Sequence, residues 1–428
     1  MKDWRLSEVK PQEEGREITT YAWIYSKRSH GGLIFLSLRD ATGLAQATVH
    51  RDMVEPDVFD RAQRSTVESS VKVMGTIRAD PRAPGGAEIQ CRDLDIIGLS
   101  HEDYPIRPDS GKEFLLSKRH LHIRSPRVSA VLRVRSALCR SAREWMEQNS
   151  FVEVHCPLLI TAACEGGATL FPVKYFKRSA FLSQSVQLYQ EAAITTLQKV
   201  YSLEPSFRAE VSRTRRHITE FWQIEAEAGN ATLNDIMDVE ERLLIHICRR
   251  THEECREEFE FLRRRFKPPE TPFPRITYDE ALSRVREEGV SLEWGQDFGA
   301  DEERVLSKQF SKPFFVTRYP RKVKAFYHMP DPQDQRVVLC VDLMAPGGYG
   351  EIAGGGQRIH RYEDLMQSIR EFDLKTQDYG WYLDLRKYGT VPHSGFGLGI
   401  ERTLRWILAL PHIRDACLFP RTPTRVYP

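Results

Sequence analysis

Apolar and β-branched residues come in five short runs through the first hundred positions, and polar turn residues separate the runs. The runs read ITTYAWIY, LIFLSL, LAQATV, VKVMGTI and AEIQCRDLDII. Glycine-rich turns such as Gly31-Gly32 and RAPGG lie between them, an arrangement that predicts strands. Five strands with one longer excursion before the fourth predict a small Greek-key barrel of the OB type, with another small β-domain as the alternative.

The pattern changes after residue 99. Residues 100–117 are polar and contain two prolines, which indicates a linker. Apolar residues then recur at spacings of three and four and predict an amphipathic helix; they are Val131, Val134, Leu138, Ala142 and Trp145. We therefore expect a barrel domain at 1–99, a hinge at 100–127 and a second domain at 128–428.

The second domain mixes strand-like and helical segments. FVEVHCPLL indicates a strand that ends at Pro157, and the region from about 231 to 266 is polar and rich in helix formers. A later helix has one apolar face, made of Tyr362, Leu365, Ile369 and Phe372. Since the segments do not alternate regularly as in a doubly wound fold, we predict the α+β class, with a mixed sheet and helices.

Composition narrows the class of protein. The chain has 428 residues, 41% hydrophobic and 29% charged, which supports two or three packed domains. Its formal net charge is +2, so any contact with nucleic acid must come from local clusters. Eight cysteines lie singly and no apolar run approaches the roughly 18 residues of a membrane span. We expect a cytoplasmic protein that does not associate with membranes.

Charged residues concentrate in the segment FRAEVSRTRRHITEFWQIEAE, residues 207–227. A solvated charged helix scatters its signs at spacings of three and four, whereas this positive block lies between two strand-like runs. Arg208 and Glu210 are two residues apart in such a run and therefore project from one face. The sequence has no P-loop, so side chains would have to hold a nucleotide's phosphates, and arginine does this with paired donors. A phosphate site is one interpretation, and a basic surface hairpin is the other.

Three further segments carry polar groups beside glycines. GFGLGIERT has three alternating glycines followed by Arg402. The glycines let backbone or a ligand approach closely, and a strand bent for packing is the alternative. GYGEIAGGGQRIH contains Glu351 and Arg358, and Glu351 beside phosphate-binding arginines suits magnesium, which takes one or two carboxylates plus phosphate oxygens. Asp342 is a second candidate for the same metal. SQSVQLYQE supplies hydroxyl and amide groups that suit a small polar ligand.

These segments resemble the signature motifs of class II aminoacyl-tRNA synthetases. FVEVHCPLL with Pro157 is similar to their dimer-forming motif 1, FRAEVSRTRRHITEF to motif 2 and GFGLGIERT to motif 3. The order of these motifs behind an OB-type domain is that of the aspartate, asparagine and lysine subclass. Within it, EGGATLF, SQSVQLYQEA, YGEIAGGGQRIH and YLDLRKYGTVPHSGFGLGIERT are most similar to the asparaginyl-tRNA synthetases. The resemblance spans essentially the whole chain and implies a six-stranded antiparallel sheet flanked by helices.

The resemblance implies that a homodimer activates asparagine with ATP and Mg²⁺ and transfers it to tRNA(Asn). The residues that it places around ATP are Arg208, Glu210, Arg216, His217, Phe221, Glu351 and Arg402. Arg208 would bind the α-phosphate and the amino-acid carboxylate, and Arg402 would bind the γ-phosphate. Arg216 and His217 would meet the outer phosphates. Phe221 and Glu210 would contact adenine, and Glu351 with Asp342 would hold magnesium, so the implied catalytic residues are Arg208, Glu351 and Arg402.

The residues that the resemblance places around the amino acid are Ser185, Gln187, Gln190, Glu191, Glu225 and Arg358. Ser185, Gln187 and Glu225 would hold the ammonium group. Aspartate-specific relatives carry a lysine at the position of Gln190, and without it an aspartate side chain would face Arg358 with Glu191 nearby to repel it. A carboxamide can donate to Glu191 and accept from Arg358, which favours asparagine.

The chain departs from the pattern of the asparagine enzymes at Val186, Gln190, Asn230 and Gly356. A reshaped pocket is the alternative that these departures raise. The protein would then be a paralogue that adenylates asparagine, aspartate or an analogue without charging tRNA. A regulator that binds tRNA or ATP without catalysis is a third hypothesis, and the intact Arg208, Glu351 and Arg402 argue against it.

The resemblance also implies that the barrel reads the anticodon, by stacking bases on an aromatic ring and bonding their edges. Arg28, Phe35 and Gln46 match the family positions, with Phe35 for stacking and Gln46 for the middle uridine. A β-domain whose Phe35 is simply buried is the alternative. An enzyme that had abandoned tRNA would not need such a surface, so these residues favour a synthetase.

Overall fold

The structure, a computed structural model, describes residues 3–164, 169–211 and 214–428. It divides into two compact units, Met1–Lys118 and Arg119–Pro428. The boundary falls inside the segment 100–127 that the sequence predicts as a hinge, and short helices occupy that segment on both sides of the boundary. None of the described helices is both long enough and apolar enough to cross a membrane.

The first unit is a closed five-stranded barrel. Its strands are β1 (Glu17–His30), β2 (Leu33–Arg39), β3 (Leu44–His50), β4 (Ser70–Ala79) and β5 (Ala87–Gly98), in the order β1-β2-β3-β5-β4. Helix α1 (Pro56–Arg64) fills the longer excursion before the fourth strand, and α2 (Lys112–Ser117) follows the barrel. The predicted barrel of the OB type is confirmed.

Strand alternation places every second residue of the barrel inside. Ile34, Leu36 and Leu38 of β2 are fully buried, so the residues between them face outward. A register shift between Ile24 and Ser26 changes which residues of β1 face outward, as a bulge does. Arg28 follows this bulge and lies directly across from Phe35 on the outer surface.

The second unit contains the remaining elements. Its helices are α3 (Arg119–His122), α4 (Pro126–Gln148), α5 (Gln187–Leu197), α6 (Leu233–Glu254), α7 (Arg256–Phe261), α8 (Tyr278–Glu287), α9 (Ala300–Lys308), α10 (Tyr362–Glu371), α11 (Gly380–Lys387) and α12 (Ile400–Ile407). Its strands are β6 (Val152–Glu153), β7 (Leu159–Ile160), β8 (Pro172–Tyr175), β9 (Arg178–Leu182), β10 (Lys199–Phe207), β11 (Glu220–Gly229), β12 (Arg275–Thr277), β13 (Phe314–Thr317), β14 (Cys340–Ala345), β15 (Gly350–Gln357) and β16 (His393–Gly399). The predicted α+β class is confirmed.

The main sheet has the order β12-β13-β14-β15-β16-β11-β10-β6. Its six central strands are antiparallel, and the short edge strands β12 and β6 pair in parallel with their neighbours. A separate small sheet has the order β7-β9-β8. One face of the main sheet packs against α4 and α6 in the largest apolar core, which buries the predicted stripe from Val131 to Trp145.

The other face of the sheet is open at its centre because glycines lie there. Phe396 and Leu398 of β16 point into the core, so Gly395, Gly397 and Gly399 point to the opposite face. Two glycines of β15 lie directly beside them in register, Gly354 beside Gly397 and Gly356 beside Gly395. These five positions without side chains form a glycine floor that leaves room above this face of the sheet.

Candidate functional site

Two cavities lie over the glycine floor. The small cavity, of about 520 Å³, is lined by the predicted ATP-binding residues Arg208, Glu210, Arg216, His217, Phe221, Glu351 and Arg402. The large cavity, of about 1570 Å³, is lined among others by Ser185, Gln187, Glu225, Glu227, Asp342 and Arg358. Arg208, Gln223, Glu351 and Gly397 line both. The two cavities therefore meet, and a cation and a carboxylate stand at their boundary.

The ends of neighbouring strands bring the arginines of the small cavity together. Arg208 follows β10 directly, and its N–H donates to the carbonyl of Thr219 at 3.0 Å, which closes the loop onto the start of β11. The guanidinium carbon of Arg208 lies 5.4 Å from the centre of the Phe221 ring. Arg402 stands in the first turn of α12, directly after β16. Arg208 and Arg402 are far apart in the sequence and meet because β10 and β16 both pair with β11.

Carboxylates hold the cations of the small cavity. Nη1 of Arg402 lies 2.9 Å from Oε2 of Glu351. Both terminal nitrogens of Arg216 donate to Glu303 of α9, and Oε2 of Glu303 also accepts from the N–H of Glu351 at 2.7 Å. Burial opposes ionisation of Glu351, yet Arg402 and Arg216 lower its pKa to about 2, so it is a carboxylate at neutral pH. Glu303 carries no signal in the sequence, because it comes from a helix outside the motifs.

His217 is neutral at physiological pH. Its Nδ1 lies 2.6 Å from Oγ1 of Thr214. Burial, together with the positive charges of Arg402 and Arg216, lowers the pKa of the imidazole to about 4. It therefore offers hydrogen bonds rather than charge. Arg213 of the same predicted cluster lies outside the described residues, as does the start of EGGATLF.

One end of the large cavity is a carboxylate held by neutral donors. The hydroxyl of Ser185 donates to Glu225, and the backbone N–H of Val186 donates to Oε2 of Glu225 at 3.2 Å. Nε2 of Gln223 lies 3.3 Å from the other oxygen. Gln187 joins the group, because its N–H donates to the Ser185 hydroxyl at 3.2 Å. A buried carboxylate with hydroxyl and amide neighbours is suited to bind an ammonium group.

The other end of the large cavity is an ion pair between Arg358 and Glu227. Nε and Nη2 of Arg358 donate to Oε1 of Glu227 at 3.1 and 2.6 Å, and the two side chains are 3% and 1% exposed. Oε2 of Glu227 is also buried and, among the described residues, has no hydrogen-bond partner. A Cβ atom on Gly395 would overlap Oε1 of Glu227, so the glycine floor is what admits this carboxylate. Glu227 lines the large cavity, and this oxygen can accept one hydrogen bond.

Glu191 and Gln190 do not line either cavity, although the sequence predicts both as substrate contacts. Glu191 is fully buried and accepts from Tyr382 at 2.7 Å, from Arg386 and from Nε2 of Gln187 at 2.9 Å. Nε2 of Gln190 donates to the Ser202 hydroxyl and the Glu225 carbonyl, both at 3.1 Å. Since α5 turns these side chains onto the sheet and α11, they support the wall from behind.

Glu191 stays a predicted contact, whereas Glu227, which the sequence analysis does not name, lines the large cavity and pairs with Arg358. The signal for it is strand alternation, because Glu225 and Glu227 are two residues apart in β11 and share one face. Val186, Asn230 and Gly356 line neither cavity, although the backbone N–H of Val186 holds Glu225.

Asp342 and Glu351 are the candidate metal ligands, and both face Gly354. A Cβ atom on Gly354 would lie 3.4 Å from Oδ1 of Asp342 and 3.7 Å from Oε1 of Glu351. Among the described residues no group of three or more metal-ligating side chains occurs. Two carboxylates fit magnesium, which completes its shell with phosphate oxygens and water. Asp342 is not free, however, because Nζ of Lys324 donates to its Oδ2 at 2.7 Å.

On the barrel, the predicted anticodon residues lie on adjacent strands of the outer surface. Arg28 is opposite Phe35, and Gln46 of β3 is opposite Ser37 of β2. Phe35 is half-buried, so part of its ring is open to solvent. Nε2 of Gln46 donates at 2.8 Å to Glu88, a carboxylate that the sequence analysis missed. The three predicted residues thus form one surface.

Two family models match the chain. The model described as tRNA synthetases class II (D, K and N) matches residues 111–423. The model described as OB-fold nucleic acid binding domain matches residues 18–97. The synthetase model covers the second compact unit almost completely, and the OB-fold model covers the barrel of the first unit.

Named relatives are similar over the full length. The asparagine–tRNA ligase of Thermococcus kodakarensis is 52% identical over 426 residues, which are 99% of this chain and 98% of the relative. The crystal structure of asparaginyl-tRNA synthetase from Pyrococcus horikoshii complexed with asparaginyl-adenylate has a TM-score of 0.96 and 50% identity, covering 100% of both chains. The aspartyl tRNA synthetase from Entamoeba histolytica has a TM-score of 0.89 and 27% identity, covering 100% of this chain and 93% of the other. The fold is similar to both, and the sequence identity is higher with the asparagine enzymes.

Proposed function

The chain belongs to the class II tRNA synthetases of the aspartate, lysine and asparagine group, and we propose that its site ligates asparagine to tRNA(Asn) in two steps. In the first step ATP activates asparagine as an asparaginyl-adenylate. In the second step the amino acid passes to the terminal ribose of the tRNA. The enzyme is an asparagine–tRNA ligase.

The observation that carries this proposal is the common boundary of the two cavities. An aminoacyl-adenylate has a nucleotide at one end, an amino acid at the other and a single phosphate between them. The small cavity offers the Phe221 ring and the arginines to a nucleotide, and the large cavity offers Glu225 and Arg358 to an amino acid. Arg208 lines both cavities, so its guanidinium can contact the α-phosphate and the amino-acid carboxylate that becomes joined to that phosphate.

Adenylation is a reaction among anions. The asparagine carboxylate attacks the α-phosphate of ATP, and pyrophosphate leaves. Such a transition state needs preorganised positive charge more than an acid or a base. We assign Arg208 to the α-phosphate, Arg402 to the γ-phosphate, and Arg216 with neutral His217 to the outer phosphates. Glu303 fixes the position of Arg216 before ATP arrives.

Magnesium is part of the proposal, and Glu351 is its main ligand. The ion would neutralise phosphate charge when it is bound. Glu351 fits because it is ionised, lines both cavities and faces Gly354. Asp342 faces the same glycine from β14 and could contribute only if Lys324 releases it.

The choice of asparagine over aspartate rests on Arg358 and Glu227. A carboxamide can donate its N–H to the free Oε2 of Glu227 and accept from Arg358. An aspartate side chain has no proton to donate at neutral pH and would bring a second negative charge beside Glu227. An asparagine side chain can therefore pair with both Arg358 and Glu227, whereas an aspartate side chain makes a repulsive contact with Glu227.

One exchange assay tests the amino-acid claim. We expect asparagine alone among the standard amino acids to drive exchange of pyrophosphate into ATP. Arg208→Ala should abolish that exchange, since it removes the shared cation. If a different amino acid drives the exchange and asparagine does not, the substrate is wrong. If asparagine drives exchange but tRNA is never charged, the paralogue alternative is correct.

The barrel is proposed to read the anticodon through Arg28, Phe35 and Gln46. Phe35→Ala with Gln46→Ala should stop charging of tRNA(Asn) while asparagine-dependent exchange continues, because exchange needs no tRNA. Trp23→Ala is the matched control, since it removes a ring that is 45% exposed elsewhere on the barrel. Equal loss of charging in both variants would show that the barrel fails as a whole rather than at a reading surface.

We also propose that the enzyme is a homodimer and acts in the cytoplasm. Val152 and Leu159, on either side of Pro157 in the motif 1 segment, are 44% and 45% exposed, as expected if a second copy covers them. The eight cysteines are all unpaired, which suits a reducing compartment. Sedimentation of the purified chain should give twice the monomer mass, and Leu159→Glu should return it to the monomer.

A further inference from the structure

Arg405 is an arginine to which the proposed reaction gives no role. It lies three residues after Arg402 in α12, so the two side chains start from the same face of the helix, about one turn apart. Arg405 is half-buried, and its guanidinium carbon lies 5.0 Å from the centre of the Tyr349 ring. Its Nε is buried and, among the described residues, has no hydrogen-bond partner. A buried donor without an acceptor is costly, and an anion at this point would supply the acceptor.

Three other arginines lie near Arg405. The residue after Tyr349 is a glycine, and a Cβ atom on it would lie 2.8 Å from Nη1 of Arg216, so the stacked ring joins Arg405 to the wall of the small cavity. Burial lowers the pKa of Arg405, Tyr349 opposes this, and the charges of Arg216, Arg215 and Arg402 lower it again. These arginines therefore repel Arg405, and an anion bound among them would relieve the repulsion.

Arg405 differs from the arginines of the small cavity in what an anion must displace. Glu303 holds Arg216 and Glu351 holds Arg402, so a phosphate that binds either arginine must replace a carboxylate. No ion pair of the described residues includes Arg405. An anion that reaches Arg405 therefore gains a hydrogen bond between charged groups without breaking another one.

Arg215 extends this group of arginines to the surface. Its side chain is exposed, and its carbonyl accepts at 3.0 Å from the N–H of Ile413, a residue that lines the small cavity. The positive groups thus continue from Arg402 in the cavity, past Arg405, to Arg215 in solvent. Three residues of α12 rise about 4.5 Å, a distance that a molecule with two joined phosphates can span. The group is therefore suited to a small polyanion that leaves the cavity.

We propose that Arg405 forms an outer site for pyrophosphate, which the product occupies as it leaves the small cavity. ATP is held at its α-phosphate and reaches Arg402 with its γ-phosphate, so its phosphates end before Arg405. Pyrophosphate is no longer bonded to the α-phosphate and can move outward by about one helical turn, where Arg405 and Arg215 bind it. The proposal rests on the proposed function for the identity of the product, and Arg405 contacts no group during the reaction itself.

Calorimetric titration of the full-length enzyme tests this, with pyrophosphate in one series and with ATP in the absence of asparagine in the other. Arg405→Met should weaken pyrophosphate binding about fivefold or more, since a hydrogen bond between charged groups is lost, and should leave ATP binding unchanged. Arg405→Lys keeps the charge and should recover most of the affinity for pyrophosphate. Lys308→Met is the matched control and should weaken neither ligand. Lys308 is exposed, and its side chain would lie 3.5 Å from a Cβ atom on Gly348, the residue before Tyr349.

The comparison of the two ligands separates an outer site from a general loss of positive charge. The proposal is overturned if Arg405→Met binds pyrophosphate as the parent enzyme does, or if it weakens ATP and pyrophosphate by the same factor. It is also overturned if Lys308→Met weakens pyrophosphate equally, or if Arg405→Met weakens only the binding of tRNA(Asn). Arg405→Gln replaces Arg405→Met if thermal unfolding shows that the methionine variant does not fold. Since the titrations need no turnover, their failure is distinct from failure of the proposed function.

Discussion

Replacement of Glu227 by glutamine is the most informative change at the amino-acid end of the site. The parent carboxylate holds Arg358 through Oε1 and keeps a buried Oε2 for the ligand. Glutamine has nearly the same shape, and its carbonyl can still accept from Arg358. The substitution therefore removes one negative charge and leaves Arg358 in place. The charge at this end of the cavity changes from balanced to positive.

The expected effect follows from two contributions. Because the glutamine carbonyl is held by Arg358, the position of Oε2 becomes an amide NH2, so the asparagine N–H loses its acceptor and faces another donor, which costs at least about 1 kcal/mol. Aspartate no longer faces a like charge, and two charges about 4 Å apart near a protein surface interact by up to about 4 kcal/mol. Because about 1.4 kcal/mol is a factor of ten, the preference for asparagine over aspartate should fall by two to three orders of magnitude.

Pyrophosphate exchange measures this as the ratio of kcat/KM for asparagine to kcat/KM for aspartate. Glu225→Gln is the matched control, since Glu225 is a buried carboxylate on the same face of the same strand. It should weaken both substrates equally, because both carry the ammonium group that it is assigned to bind. The reasoning is refuted if Glu227→Gln lowers activity with both substrates by the same factor and leaves the ratio unchanged.

Three other changes test separate parts of the site. Gly397→Ala places a Cβ on the cavity floor, 3.2 Å from Oε1 of Gln223. KM for asparagine in the exchange assay should therefore rise at least tenfold, while the melting temperature changes by only a few degrees. The folded pKa of His217 is about 4, so on acidification the unfolded state takes up the proton first and the free energy of unfolding falls between about pH 6.5 and pH 4. His217→Gln should reduce this fall, and urea unfolding at the two ends of this range measures it. Glu351→Gln should raise the Mg²⁺ concentration for half-maximal exchange at least tenfold, and an unchanged Mg²⁺ requirement would exclude Glu351 as the ligand.

The fold and the small cavity could be predicted from the sequence because their signals are local. The strands of the barrel, the stripe of α4 and the glycines of β16 are patterns of neighbouring residues, and the motif arginines follow strand ends directly. Glu303 could not be predicted, since its role depends on where α9 packs. Glu191 is expected at the ligand from the resemblance, whereas in the structure Tyr382 and Arg386 of α11 hold its carboxylate. These partners are 191 and 195 residues away in the sequence, so no local pattern around Glu191 indicates them.

The pairing of cations with carboxylates explains how an enzyme can keep so much positive charge in a buried cavity. Unpaired buried charges are costly, whereas Arg216 with Glu303, Arg402 with Glu351 and Lys324 with Asp342 offset one another before the substrate binds. A phosphate that binds an arginine must displace the carboxylate already paired with it. The binding free energy gained is therefore the difference between the arginine–phosphate and arginine–carboxylate interactions. We therefore expect the arginines to be positioned for the transition state, and ATP and the departing pyrophosphate to be held only moderately. Preorganised charge then lowers the activation barrier of adenylation without binding ATP so tightly that the reaction slows.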